Sequence, residues 1–272
     1  MGPVRGLLLA SCVLALPAAA WPAEGACRFE APRQGKVDAK GATRADVVAR
    51  AGSLTITGEE GLTEVQASGT ACARSEADLE KVRLRVDRTG DEVRVEVETP
   101  NGWHASGSLD LEVHVPKGLA LNVEDGSGST RIDGVASLRL KDGSGGIEVR
   151  GVAGKLEIHD GSGGIHVRDV SGDVEIHDGS GEIDLRQVGG SVTVEDGSGG
   201  IDIQDVTGSV TIPEDGSGGI RIERVRRNVL VERDGSGSIE VGDVGGDFTV
   251  EHGGSGSIHH SGVKGRVQIP SR

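Results

Sequence analysis

From residue 121 onward, apolar and polar positions along the chain keep one register. Ile165, Val167, Val170, Val174 and Ile176 return eighteen residues later as Ile183, Leu185, Val188, Val192 and Val194. The unit reads I-x-V-x-x-V-x-x-x-V-x-I-x-D-G-S-G-G, with a period of 18 that drifts to 17 near the start and 19 near the end. Period-two alternation on each side of two turns predicts one rung of an all-β solenoid, with the five aliphatic residues inward. Rungs stacked ~4.8 Å apart make a core one side-chain pair deep. Five aliphatic side chains, at about 1.5–3 kcal/mol each, cannot offset the ordering of a lone rung, so every rung needs neighbours. Parallel stacking also explains why two different turn sequences recur in phase, which an up-and-down antiparallel arrangement does not. DGSG at 125, 142, 160, 178, 196, 215 and 234, with GGSG at 253, gives about eight rungs over 121–272.

Residues 21–120 read as a less regular β region, or an N-terminal cap. LTI (54–56) is a short strand, and VRLRV (82–86) and VRVEV (93–97) form a hairpin with Gly90 at its turn. LDLEVHV (109–115) and LALNV (119–123) flank a Pro-Lys-Gly turn, and Ser75 caps a short helical turn. Near the other end Phe248 replaces the Val174, Val192 and Val210 of other rungs. Pro270, after the last inward residue Ile269, cannot donate a ladder hydrogen bond. Both blunt an edge that would recruit another strand.

Composition adds a compartment. Glycine contributes 46 of 272 residues and phenylalanine 2, so the core is built from Val, Ile and Leu and the glycines serve turns. The net charge of −14 argues against nucleic acid as a partner. Residues 1–20, with one arginine, an apolar run and a small-residue end, have the form of a secretory signal peptide. Leu9-Ala10-Ser11-Cys12 offers the lesser alternative of a lipoprotein box. No later stretch is apolar enough to span a membrane. An exported protein of the periplasm, envelope or extracellular space is expected, with a monomer as its oligomeric state. Cys27 and Cys72 are then expected to form a disulfide that fastens the non-periodic part.

Three columns invite chemistry. Asp142, Asp160, Asp178, Asp196, Asp215 and Asp234, with Asp125 before them, place carboxylates at rung spacing, where calcium could compensate their repulsion. Yet Asp opens the turn here, whereas the calcium-binding solenoid signature Gly-Gly-x-Gly-x-Asp places it after one. An aspartate before Gly-Ser-Gly also builds an Asx turn unaided. His159, His177 and Glu195 form an outward column whose other members, Glu124 and Lys141, make it a mixed polar ladder. Arg221, Arg224, Arg226, Arg227 and Arg233 concentrate positive charge on an acidic chain, and Arg227 replaces a glycine found at 172, 190, 208 and 246. They are the candidate surface for a protein or a cell-envelope glycan. No nucleotide loop and no Ser-His-Asp arrangement is present, and the turns are too short to wall a catalytic groove.

The exported N-terminus, CRFEAP (27–32), ACA (71–73) and the DGSGG/xVxG rungs resemble the DUF4097 family of bacterial envelope proteins, described as adhesin-like. That resemblance implies a single-stranded, right-handed parallel β-helix and brings no active-site residues. The expected function is non-catalytic, structural or partner-binding. The alternatives are a calcium-stabilised extracellular binding module and a β-helical carbohydrate-active enzyme.

Overall fold

A computed structural model describes residues 27–100 and 106–270. The signal-peptide reading and Cys12 lie outside the described residues. The first strands are β1 (Phe29–Asp38), β2 (Arg44–Val48), β3 (Leu54–Glu59) and β4 (Glu64–Ala73), followed by the single turn of helix α1 (Glu76–Leu79). Then come β5 (Arg83–Thr89), β6 (Glu92–Glu98), β7 (Gly107–Pro116), β8 (Ala120–Glu124) and β9 (Thr130–Asp133). From there the chain alternates between two sheets, each of twelve strands among the described residues, enclosing one apolar core.

The repeat stacks in parallel and in register. Ile147, Ile165, Ile183, Ile201, Ile220, Ile239 and Ile258 pair in succession, so the step is 18 residues up to Ile201 and 19 beyond it. The nineteenth residue enters with Pro213: Asp196 pairs with Asp215 although Val192 pairs with Val210. The next two rungs keep it, since Val231 pairs with Val250 and Arg233 with His252, which leaves Glu232 and Glu251 bulged. All five inward residues of the 165–176 rung are at most 2% exposed. Among the described residues no further strand covers the column beyond Val267 and Ile269, which are 38% and 42% exposed.

The residues ahead of the repeat supply two rungs and a cap. β2 and β3 form a rung that pairs in parallel with β8 and β9 on one side and with β6 and β7 on the other. The chain therefore lays down this rung, leaves it through β4, α1 and β5, and returns through β6 and β7 on its far side. The turn at 117–119 then carries it past the first rung to β8. Antiparallel strands close this end: β5 pairs with β6, through a turn at left-handed Gly90, while β1 pairs with β4 and β4 with β7. Ser75 caps α1, its Oγ accepting from the Asp78 N–H at 3.1 Å. Arg33 on β1 donates to the carbonyls of Val82 (2.7 Å) and Leu79 (2.8 Å), tying the edge strand to the end of α1.

Cys27 and Cys72 are disulfide-bonded, fixing the start of β1 to β4 across 45 residues of sequence. Closing a loop of that size restricts the unfolded chain by about 4 kcal/mol in the chain-entropy account. The constraint lies at an edge strand with a sheet neighbour on one side only.

Candidate functional site

In the first sheet, each repeat strand ends at a backbone corner. Gly134, Gly151, Asp169, Gln187, Asp205, Arg224, Asp243 and Gly262 occupy equivalent positions, and all are left-handed, the five non-glycine residues at φ between 55° and 62°. The corner places two successive side chains outward and returns the next residue, Val170, Val188, Val206, Val225 or Val244, to the core. It is the physical meaning of the x-x in I-x-V-x-x-V. A side chain in this conformation costs about 1–2 kcal/mol, least for Asp and more for Gln or Arg. Glycine meets the requirement at the two early rungs and again at Gly262. Between them the rod carries polar side chains instead.

Those side chains edge a groove of about 960 Å³ along the rod axis. Gln187, Asp205, Arg224, Asp243 and Gly262 form one margin, and Gly189, Thr207, Arg226, Gly245 and Lys264 the other. Arg224 is committed internally: Nε donates to Asp205 Oδ1 (2.7 Å), Nη1 to Glu223 Oε2 (2.8 Å) and Nη2 to Gln204 Oε1 (2.7 Å). The guanidinium holds the Asp205 carboxyl below the ordinary aspartate range, and the hydrogen bond to Asp205 raises Arg224 in turn. Arg226 and Lys264 are exposed, and their side chains have no hydrogen-bond or ion-pair partner among the described residues.

The five arginines do not form one patch. Arg224 and Arg226 line the groove, and Arg227 follows them in the second turn. Arg221 sits near the opposite end of its strand, bonded to Glu223, and Arg233 is in the other sheet beside the DGSG turn, 3.8 Å from Glu214. Arg227 takes a glycine position of the second turn, and its N–H reaches the Gly208 carbonyl at 3.3 Å, against 2.8–3.1 Å for its glycine counterparts. Asn228 belongs to the scaffold. The side chains of Asp173, Ser191, Ser209, Asn228 and Asp247 each accept a backbone N–H from the following rung, at 2.8–3.4 Å. A further column, Arg150, Arg168 and Arg186, is absent from the sequence reading. It was legible as every eighteenth residue, and two of its members are paired with Glu148 and Asp184.

The histidines are neighbours, as expected. The His159 and His177 rings stack with centroids 4.8 Å apart, and His177 Nδ1 lies 2.8 Å from Glu195 Oε2. Among the described residues, no three His, Cys, Asp or Glu side chains converge on a metal position.

The aspartate column does build turns: Asp160, Asp178 and Asp196 Oδ1 accept from the Ser162, Ser180 and Ser198 N–H at 3.3, 3.2 and 3.1 Å. Its burial is the surprise. All seven carboxyls, Asp125 to Asp234, are at most 8% exposed.

No family model matches the chain, and no curated protein matches it. Solved structures do. The "putative lipid binding protein" of Parabacteroides distasonis ATCC 8503 aligns over 88% of this chain and 97% of its own, at TM-score 0.52 and 20% identity. The "putative adhesin" of Bacteroides fragilis NCTC 9343 aligns over 89% and 98%, at TM-score 0.35 and 14% identity. The likeness to the Parabacteroides structure is one of fold alone, and the fold of this chain is a β-solenoid.

Proposed function

We propose that this protein is a non-catalytic, exported envelope protein of the DUF4097 type that binds a polyanionic glycan along the groove from Gln187 to Lys264. One observation carries the reading: at the corner position, which glycine fills at 134, 151 and 262, four of the five groove rungs carry strained polar residues, Gln187 and Arg224 above all. Backbone strain of this kind collects where side-chain display matters. The groove crosses five rungs, roughly 20 Å at one strand spacing each, which suits an extended polymer. Arg226 and Lys264 supply unpaired positive charge on a chain of net charge −14, while Arg224 is fixed by Asp205 and keeps its neighbours in place.

An enzyme is disfavoured because the groove carboxylates do not converge. Asp205 is clamped by Arg224, and Asp243 is the other carboxylate lining the groove among the described residues. A lipid-binding role would need an apolar cavity, whereas the inward columns are filled by aliphatic side chains and the large groove is polar-lined. Among the described residues no helix is long and apolar enough to cross a membrane.

The test is titration with polygalacturonate in the presence of EDTA. Arg226→Glu combined with Lys264→Glu is expected to weaken binding at least tenfold and to leave the thermal midpoint unchanged. Arg233→Glu, on the other edge, is expected to bind as wild type. Equal binding by the double variant, or an equal loss with Arg233→Glu, would rule the groove out.

A further inference from the structure

The first rung of the repeat, β8 and β9, shows what a buried aspartate needs here. Asp125 Oδ1 accepts from the Gly126 N–H at 2.8 Å, and Oδ2 accepts from the Thr130 hydroxyl at 2.8 Å. Five residues after each later aspartate the chain carries an isoleucine in place of that threonine: Ile147, Ile165, Ile183, Ile201, Ile220 and Ile239. The hydroxyl is lost and the second oxygen is orphaned. Asp160, Asp178 and Asp196 each keep a buried Oδ2 with no partner, Asp234 a buried Oδ1, and Asp142 and Asp215 have neither oxygen satisfied. A bare carboxylate in such a place is among the costliest arrangements in a protein interior.

The groups that face these carboxyls are few. They are backbone N–H groups of the Gly-Ser turn, the isoleucines of the following strand, and the carboxyls of the rungs above and below, held in register by the Asp142–Asp160, Asp160–Asp178, Asp178–Asp196, Asp196–Asp215 and Asp215–Asp234 pairings. No Lys, Arg or His acts appreciably on Asp142, Asp160, Asp178, Asp196 or Asp215. A proton on one carboxyl would convert an orphaned acceptor into a donor toward its neighbour and remove one charge from the stack.

We propose that the column from Asp142 to Asp215 is a proton-binding ladder, in which successive carboxyls share retained protons and the rod becomes more stable in mild acid. Burial first, and then the neighbouring carboxylates, push Asp142 up to about 6 and Asp215 up to about 7, and burial raises Asp160, Asp178 and Asp196 as well. In the unfolded chain these groups titrate near an ordinary aspartate value of about 3.9. Between that value and 7 the native state holds more protons than the unfolded state, so stability falls as pH rises through this window. Below it the dependence reverses, because carboxyls held low in the native state, Asp205 by Arg224, Glu223 by Arg221 and Glu92 by Arg44, become protonated. The most stable condition is thus mild acid.

Denaturant unfolding in EDTA tests this. The folding equilibrium constant is expected to rise at least about a hundredfold from pH 8 to pH 5. Asp178→Asn and Asp196→Asn, which keep an Oδ1 for the Asx turn, combined with Asp215→Asn, are expected to flatten that slope and to stabilise the protein at pH 8. Infrared spectra of the wild type at pH 7 are expected to show the C=O stretch of un-ionised carboxyl groups, a readout that does not depend on the variant folding. No change in stability between pH 5 and pH 8, or no such stretch at pH 7, would overturn the ladder. So would millimolar calcium abolishing the pH dependence at pH 8 with an ion bound, which would make the column a cation site.

Discussion

Replacing Gly163 with alanine is expected to destabilise the protein by at least about 3 kcal/mol, or to prevent the repeat from folding. Gly163 is the second glycine of its DGSG turn, at φ 140°, and a Cβ there would stand 1.6 Å from the carbonyl oxygen of Gly145 in the rung before. That oxygen cannot retreat alone, because the turns bond from rung to rung: the Gly163 N–H donates to Ser180 O and the Gly145 N–H to Ser162 O. The clash and the backbone conformation penalise the same methyl group. Gly200→Ala is the matched control. It follows the equivalent turn two rungs on, and a Cβ there meets nothing within 4 Å. Its expected effect is within about 0.5 kcal/mol. Denaturant melts of the two variants side by side check the stacking of the turns.

Phe248→Ala is expected to cost about 3–5 kcal/mol, the largest loss of any core truncation in the chain. Phe248 is fully buried in a column of valines and leucines, pairing with Val229 on one side and Val267 on the other. The rung beyond it is thin, with Val267 and Ile269 exposed, so this ring closes the end of the core. Coupling between rungs is nearest-neighbour, so the loss should stay local. Amide exchange should accelerate in 229–268, while the 147–196 rungs keep their protection. Leu185→Ala, at about 2–5 kcal/mol in mid-rod, should instead loosen the rungs on both sides.

The alternation carried most of this fold. Each inward residue named from the 165–176 and 183–194 rungs is buried, whereas Ile269, expected inward at the last rung, is exposed, and the 17, 18 and 19 spacings mark real changes in turn and bulge. The same alternation extends one step further, through Val174 and Ile176 to Asp178, and so places the aspartate inward too. Its residue type hid this, because an aspartate before glycine reads as a solvated turn. The x-x between Val167 and Val170 signalled a break in the strand but not its left-handed sense, and the groove follows from that sense. β1 and β4 left little trace: FEAPRQGKVD and EVQASGTACA hold Pro32, glycines and small residues where large β-branched ones would have marked strands. The placement of β2 and β3 between later rungs is a choice of long-range pairing that no local pattern encodes. Arg233 looked near Arg227 in sequence, yet one strand's length and a change of sheet separate their roles.

The left-handed corners and the aspartate ladder divide the labour along the rod. The ladder lies inside the DGSG edge, among groups that touch neither Arg226 nor Lys264, so its titration should tune stability without altering the groove's charge. The most direct measurement of the binding account is hydrogen exchange of the mature protein with and without saturating polygalacturonate. Added protection is expected at 187–189, 205–207, 224–226, 243–245 and 262–264, one short segment per rung along a single edge. Protection confined to the DGSG turns or the N-terminal cap, with the groove segments unchanged, would contradict it.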